Sequence, residues 1–149
     1  MSKEENSMVE LITGKKGKGK TKVLLDKVNG SVKEVNGNIV YLDKSTKHMF
    51  ELNNKVRLID VTGYPVKNSD EFVGFICGIL SQDHDLEQVY LDSFLKIAQL
   101  EDAGKEDVAS TLDQLNDIGK QFSVKFIISI SLDKEELPEK FLENVSVSL

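Results

Sequence analysis

Eight residues, Gly14-Lys15-Lys16-Gly17-Lys18-Gly19-Lys20-Thr21, spell G-x-x-x-x-G-K-T and stand between two runs of different periodicity. Ahead of them, Val9-Glu10-Leu11-Ile12-Thr13 reads as a short buried strand. Behind them, Thr21 to Val28 places apolar groups on one face of a helix. A strand that passes through a glycine-rich loop straight into a helix is the setting a phosphate-binding loop requires. Glycines let backbone N–H groups turn inward onto phosphate oxygens, and the helix N-terminus adds partial positive charge. In that arrangement Lys20 reaches the β- and γ-phosphates, and the Thr21 hydroxyl is a ligand for Mg²⁺. The bland alternative is a lysine-rich surface turn that matches by chance; the strand before and the helix after weigh against it.

The loop is also where positive charge gathers. The 149-residue chain carries 25 acidic and 19 basic side chains, for a net charge of -6, yet Lys15, Lys16, Lys18, Lys20 and Lys22 crowd into one short stretch. A polyphosphate is the expected partner. Nucleic acid is not, because duplex-binding proteins present a basic face rather than an acidic surface with one basic loop. The polar opening, Met1 to Ser7, lacks the apolar core of a secretory signal, and no apolar run approaches the about 20 residues of a membrane span. The expectation is a cytoplasmic protein with residues 1–7 flexible. The lone Cys77, inside an apolar helix, reads as a small core residue in a reducing compartment.

Along the rest of the chain, strand-like and helix-like runs alternate with no repeat and no proline-rich linker, so residues 1–149 read as one domain. The strand-like runs are Ile39 to Asp43 after an Asn36-Gly37-Asn38 turn, Val56 to Val61, Gln88 to Asp92, and Val124 to Ser131. Val145 to Val147 reads as a final edge strand. Asn68 with Glu71 three residues later opens a helix from Asp70 to about Ser81, and a second amphipathic helix runs from Lys105 to Phe122 with Val108, Leu112, Leu115 and Ile118 on one face. Glu135 to Leu142 reads as a short helix. This alternation predicts a mainly parallel sheet covered on both faces, a three-layer α/β/α domain.

A magnesium-bound phosphate needs a carboxylate nearby, and two apolar runs end in one, at Asp43 and at Asp92. Asp92 lies beyond an intervening strand and helix and is followed by one further helix and strand. That order, together with the loop, resembles the additional-strand, RecA-like branch of P-loop NTPases. The resemblance implies the following roles. Asp92 joins Thr21 in the magnesium shell, as the Walker B residue. The strand after it, Phe126 to Ser131, inserts beside the P-loop strand and carries a polar sensor, Ser129 or Ser131. Asp43, at the end of the strand that follows the P-loop helix, orients the attacking water. Many members place Glu directly after the Walker B Asp; this chain has Ser93. The Gly17-Lys18-Gly19-Lys20-Thr21 stretch is also similar to the loops of cobalamin adenosyltransferases, and the whole chain resembles short bacterial P-loop proteins, some of which carry a twitching-motility ATPase label.

Arg57 is the only arginine and reads as a snorkelling surface residue on a strand; as an arginine finger it would act on a neighbouring subunit of a homo-oligomer. His48 and His84 have no partner at metal spacing and read as surface residues. Tyr41, Tyr64 and Tyr90 are candidates for stacking on adenine, with core packing the stronger reading for the two on strands. Asn53-Asn54-Lys55 is not the Asn-Lys-x-Asp box of GTP-specific chains, which leaves ATP as the default nucleotide. Two functions stay open: a slow Mg-ATP hydrolase using Lys20, Asp43 and Asp92, or a nucleotide-binding regulatory or assembly module without significant turnover. A small-molecule kinase or adenosyltransferase is disfavoured, because small-molecule kinases usually need a lid with arginines over the phosphates and this chain has one arginine.

Overall fold

The computed structural model describes residues 7–149. Residues 1–6 of the stretch expected to be flexible lie outside that range, and Ser7 is tied down, its hydroxyl donating to the Val9 carbonyl at 3.2 Å. Six strands form one sheet: β1 (Val9–Thr13), β2 (Asn38–Asp43), β3 (Val56–Asp60), β4 (Leu86–Leu91), β5 (Lys125–Ile130) and β6 (Val145–Ser148). Their spatial order is β3-β2-β4-β5-β1-β6, and every neighbouring pair is parallel. The helices are α1 (Lys20–Ser31), α2 (Ser69–Ser81), α3 (Phe94–Ile97) and α4 (Lys105–Phe122).

Strands buried on both faces need apolar residues at successive positions, and the two pleat faces feed two separate cores. Ile12, Ile39, Tyr41, Tyr90 and Ile127 face one way and pack with Leu24, Leu25 and Val28 of α1. Leu11, Val40, Leu42, Val89, Leu91, Phe126 and Ile128 face the other way and pack with Phe72 and Ile76 of α2 and with Val108, Leu112 and Leu115 of α4. The result is a sheet with helices on both sides. Phe72 meets Phe94 of α3 edge-on, with ring centroids 6.2 Å apart, and this contact seats the short helix on the second core.

Helix boundaries follow their capping chemistry. The Asn68 side chain accepts a hydrogen bond from the Glu71 N–H at 2.8 Å, so α2 starts at Ser69, one residue before the sequence expectation. The expected strand 56–61 stops at Asp60, whose carboxylate accepts from the Thr62 N–H and turns Val61–Gly63 into a 3₁₀ turn. The short helix expected over 135–142 is instead two 3₁₀ pieces, Lys134–Glu136 and Glu139–Asn144, separated by Pro138. Cys77 is exposed rather than in the core. One helical step past Ile76 rotates a side chain by about 100°, off the face set by Phe72, Ile76, Ile79 and Leu80.

Candidate functional site

The period of two along a strand brings the polar residues together. Tyr41 and Asp43 on β2, Tyr90 and then Asp92 after β4, and Ile127 and Ser129 on β5 alternate onto the α1 side of the sheet. Asp43, Asp92 and Ser129 therefore emerge at the C-terminal ends of the strands, on the same side as the start of α1. The parallel sheet runs all strand ends toward one edge, and ligands of open α/β sheets bind along that edge.

The Gly14–Gly19 loop joins β1 to α1. Gly17 (φ 85°) and Gly19 (φ 98°) adopt left-handed backbone that L side chains rarely take, so these positions require glycine. Gly19 is the N-cap of α1, and no side chain caps the helix, which leaves its first N–H groups without an internal acceptor. The Lys20 side chain folds back over the loop: it is 8 % exposed and donates to the Lys15 carbonyl at 3.1 Å. Burial pushes its pKa down, and the nearby Asp92 charge opposes that shift.

Asp92 is the hub. Its Oδ1 accepts from the Ser129 hydroxyl at 2.7 Å, the Ser93 N–H at 2.9 Å and the Thr21 hydroxyl at 3.3 Å, while Oδ2 accepts from the Tyr41 hydroxyl at 2.8 Å. Ser93, with φ 55°, turns its N–H back so that it also meets the Ser129 oxygen at 3.0 Å. Burial and the carboxylate beside it hold Tyr41 protonated far above the usual phenol range. Of these partners, Thr21 and Ser129 were candidates in the sequence. Tyr41, expected in the core or against adenine, is in the core with its hydroxyl on Asp92, and the Ser93 backbone carries no sequence signal at all.

Asp43 is 2 % exposed. Its Oδ1 accepts from the Lys44 N–H at 2.7 Å, the strand-end turn contact open to any Asp at such a position, while Oδ2 is buried with no hydrogen-bond partner. Burial first, and the Asp92 charge second, raise its pKa above the ordinary carboxylate value. Among the described residues, the other buried side-chain atom without a partner is Thr13 Oγ1, at the same end of β1.

A cleft of about 670 Å³ opens above these groups, with Lys15, Lys16, Lys20, Thr21, Asp92 and Ser129 in its wall. Its far side is built by Lys44, Lys47 and His48, which follow β2, and by Lys96 of α3. None of these lysines stands out in the sequence as a site residue, and His48 belongs to the cleft rather than to open surface. Lys18 and Lys22 do not line it. Lys22 reaches Asp26 at 3.6 Å on the exposed side of α1, and Lys15 is held 2.6 Å from Glu136. Gly14 lies at the end of the loop, its N–H donating to the Leu132 carbonyl.

Arg57 is on β3, the strand at the sheet edge farthest from β6, and points to the α2 side, opposite α1. It cannot serve the loop of its own chain. Tyr41 and Tyr90 stack at 6.2 Å beneath α1 and are fully buried. Tyr64 packs on Phe75 at 5.1 Å, on the α2 side. None of the three tyrosines lines the cleft.

No cluster of three or more His, Cys, Asp or Glu side chains poised for a metal occurs among the described residues. One hydroxyl and one carboxylate, Thr21 and Asp92 at 3.3 Å, suit Mg²⁺, which takes few protein ligands and completes its octahedron with water and phosphate oxygens. Among the described residues no helix is long and apolar enough to cross a membrane. Compared with known proteins, the chain matches no protein-family model and no curated protein.

Proposed function

We propose that the protein binds Mg-ATP through the Gly14–Thr21 loop and is a slow nucleoside-triphosphatase of the RecA-like P-loop branch. The observation that carries this reading is the convergence of Thr21, Ser129 and the Ser93 N–H on one buried carboxylate, Asp92, beside Lys20 at an uncapped helix start. The strand order supports it: β5, which follows the Asp92 strand in sequence, lies between β4 and β1. In this reading the loop N–H groups and Lys20 hold the β- and γ-phosphates, and Thr21 and Asp92 hold the magnesium, which neutralises phosphate charge. Ser129 and Tyr41 fix the Asp92 carboxylate, and Asp43 accepts a hydrogen bond from the attacking water.

The second reading, a nucleotide-dependent regulatory module without turnover, is favoured by one specific feature. Asp43 Oδ1 is engaged by Lys44, and Oδ2 is sealed from solvent, so hydrolysis requires Asp43 to turn.

Thermal unfolding with and without Mg-ATP, alongside phosphate release, tests both. ATP at a hundredfold excess over Kd stabilises a fold by about 2.7 kcal/mol, a rise of several degrees for a domain of this size. Lys20→Ala is expected to remove that rise. Stabilisation without phosphate release selects the regulatory module, and no stabilisation by any nucleoside triphosphate rejects nucleotide binding altogether.

A further inference from the structure

The cleft is longer and more basic than one nucleotide's phosphates require. It crosses the sheet edge from the β1 loop, over β5 and β4, to the segment after β2, three strand spacings or about 14 Å away. Six lysines line it, Lys15, Lys16, Lys20, Lys44, Lys47 and Lys96, with the carboxylates of Asp92 and Glu101, in a chain of net charge -6; of the six, Lys15 is ion-paired outside the lining, with Glu136 and Asp133. The loop wall, with Lys16, Lys20 and the start of α1, already matches a magnesium-bound triphosphate. Lys44, Lys47 and Lys96 form the opposite wall, and no carboxylate lies within ion-pair distance of any of them among the described residues.

That opposite wall is a folded structure. The Lys47 N–H donates to the Ser45 hydroxyl at 3.2 Å and the Met49 N–H to the Thr46 carbonyl at 3.1 Å. His48 Nδ1 lies 2.6 Å from a Glu51 carboxylate oxygen, which fixes the ring in the cleft wall. Lys96 sits on α3, whose start at Ser93 is bonded to Asp92. The buried, half-satisfied carboxylate of Asp43 immediately precedes Lys44. His48 and Lys44 thus have carboxylates beside them, in Glu51 and Asp43, while the exposed Lys47 and Lys96 make no ion pair among the described residues. Unpaired cations around a concave space raise the local concentration of anions and select for them.

We propose that this far wall, formed by Lys44, Lys47, His48 and Lys96, is a binding site for a second small anion, a phosphate- or carboxylate-bearing molecule held across the cleft from the nucleotide's terminal phosphate. The placing of this anion opposite a terminal phosphate rests on the nucleotide reading of the loop; the anion site itself rests on the far wall. It makes the cleft a two-ligand site, with a place for a co-substrate or an effector.

The test uses the non-hydrolysed analogue AMP-PNP with Mg²⁺ at saturation, so that probes cannot compete for the loop. Inorganic phosphate and malonate are then added separately, each against sodium chloride of equal ionic strength, and thermal unfolding is followed. The expected result is a further rise of at least about 2 °C with one of the probes, and the probe that gives it tells phosphate from carboxylate recognition. Lys47→Glu/Lys96→Glu, at two exposed positions whose side chains make no ion pair among the described residues, should lose this increment and keep the AMP-PNP increment. No increment with either probe in the wild type overturns the proposal. So does a double variant that loses the AMP-PNP increment, because those lysines then belong to the nucleotide's own site. If AMP-PNP itself fails to stabilise the wild type, the nucleotide reading falls. A probe increment that still depends on Lys47 and Lys96 then supports the anion site alone, and its absence overturns both.

Discussion

The two ends of the sheet treat buried charge in opposite ways. At the N-terminal end, Glu10 of β1 is held 2.9 Å from Lys27 of α1 and 3.0 Å from Lys125 of β5, and it accepts from the Ser146 hydroxyl of β6 at 2.7 Å. Burial alone would raise its pKa, but these partners outweigh it and bring the value down to about 2. At the C-terminal end, Asp43 is raised, Lys20 is lowered, and two buried oxygens have no partner. One end spends its charges on holding β1, β5, β6 and α1 together. The other keeps charged groups close together and incompletely satisfied, which costs stability and is an arrangement common at functional sites.

The largest effect that would break this contrast is at Asp92. Asp92→Ala removes the acceptor shared by Tyr41, Ser129, Thr21 and Ser93, leaving buried hydroxyls unpaired, and should lower stability to urea by about 3 kcal/mol. If the protein binds Mg-ATP as proposed, the variant should also lose the magnesium dependence of that binding. A loss under about 1 kcal/mol would mean that the cluster is not held by Asp92 and that the C-terminal end is looser than its geometry. Glu10→Gln comes next. Its two lysine partners are partly exposed, so the loss at neutral pH should be about 1–2 kcal/mol. Because the folded pKa lies below the ordinary carboxylate value of about 4.5, the contribution is fully present above pH 4.5 and is lost as pH falls through about 2. Wild type and variant should therefore converge in acid, as followed by thermal unfolding across pH.

The fold was legible where periodicity was strong. The strand at Val124–Ser131, the helix at Lys105–Phe122 and the edge strand at Val145–Val147 are all present, with ends shifted by about a residue where a cap or turn sets them. Short-range chemistry was less visible. The α3 turn exists because Phe94 and Ile97 dock on a distant core, and Glu135–Leu142 splits because Pro138 cannot continue a helix. Within the candidate site, the loop and Asp92 stand out in the sequence because they follow and end apolar runs, and Ser129 because it interrupts one. Tyr41 could not, since a tyrosine inside such a run looks like any other core residue until its hydroxyl is seen to meet Asp92. Lys44, Lys47 and Lys96 were invisible for another reason: scattered lysines acquire meaning only when the topology brings the ends of β2 and β4 to the same edge as β1.

Asp43→Asn carries the smallest expected effect and the sharpest sign. Here the folded pKa lies above the ordinary aspartate value of about 3.8, so the folded chain binds the extra proton, and wild-type stability falls as pH rises from 3.8 through the raised value. The amide oxygen still accepts from the Lys44 N–H, and no charge is left to bury beside Asp92. The variant should be more stable than wild type at pH 7, by up to about 1 kcal/mol, and indistinguishable from it well below pH 3.8. Thermal unfolding across pH reads both limits. The Glu10→Gln difference shrinks toward acid from a deficit, and the Asp43→Asn difference shrinks toward acid from a gain. If phosphate release falls in Asp43→Asn while stability rises, the strained carboxylate is retained for turnover. If stability rises and nucleotide binding is unchanged with no phosphate release in either protein, Asp43 instead places its charge under the far wall of lysines.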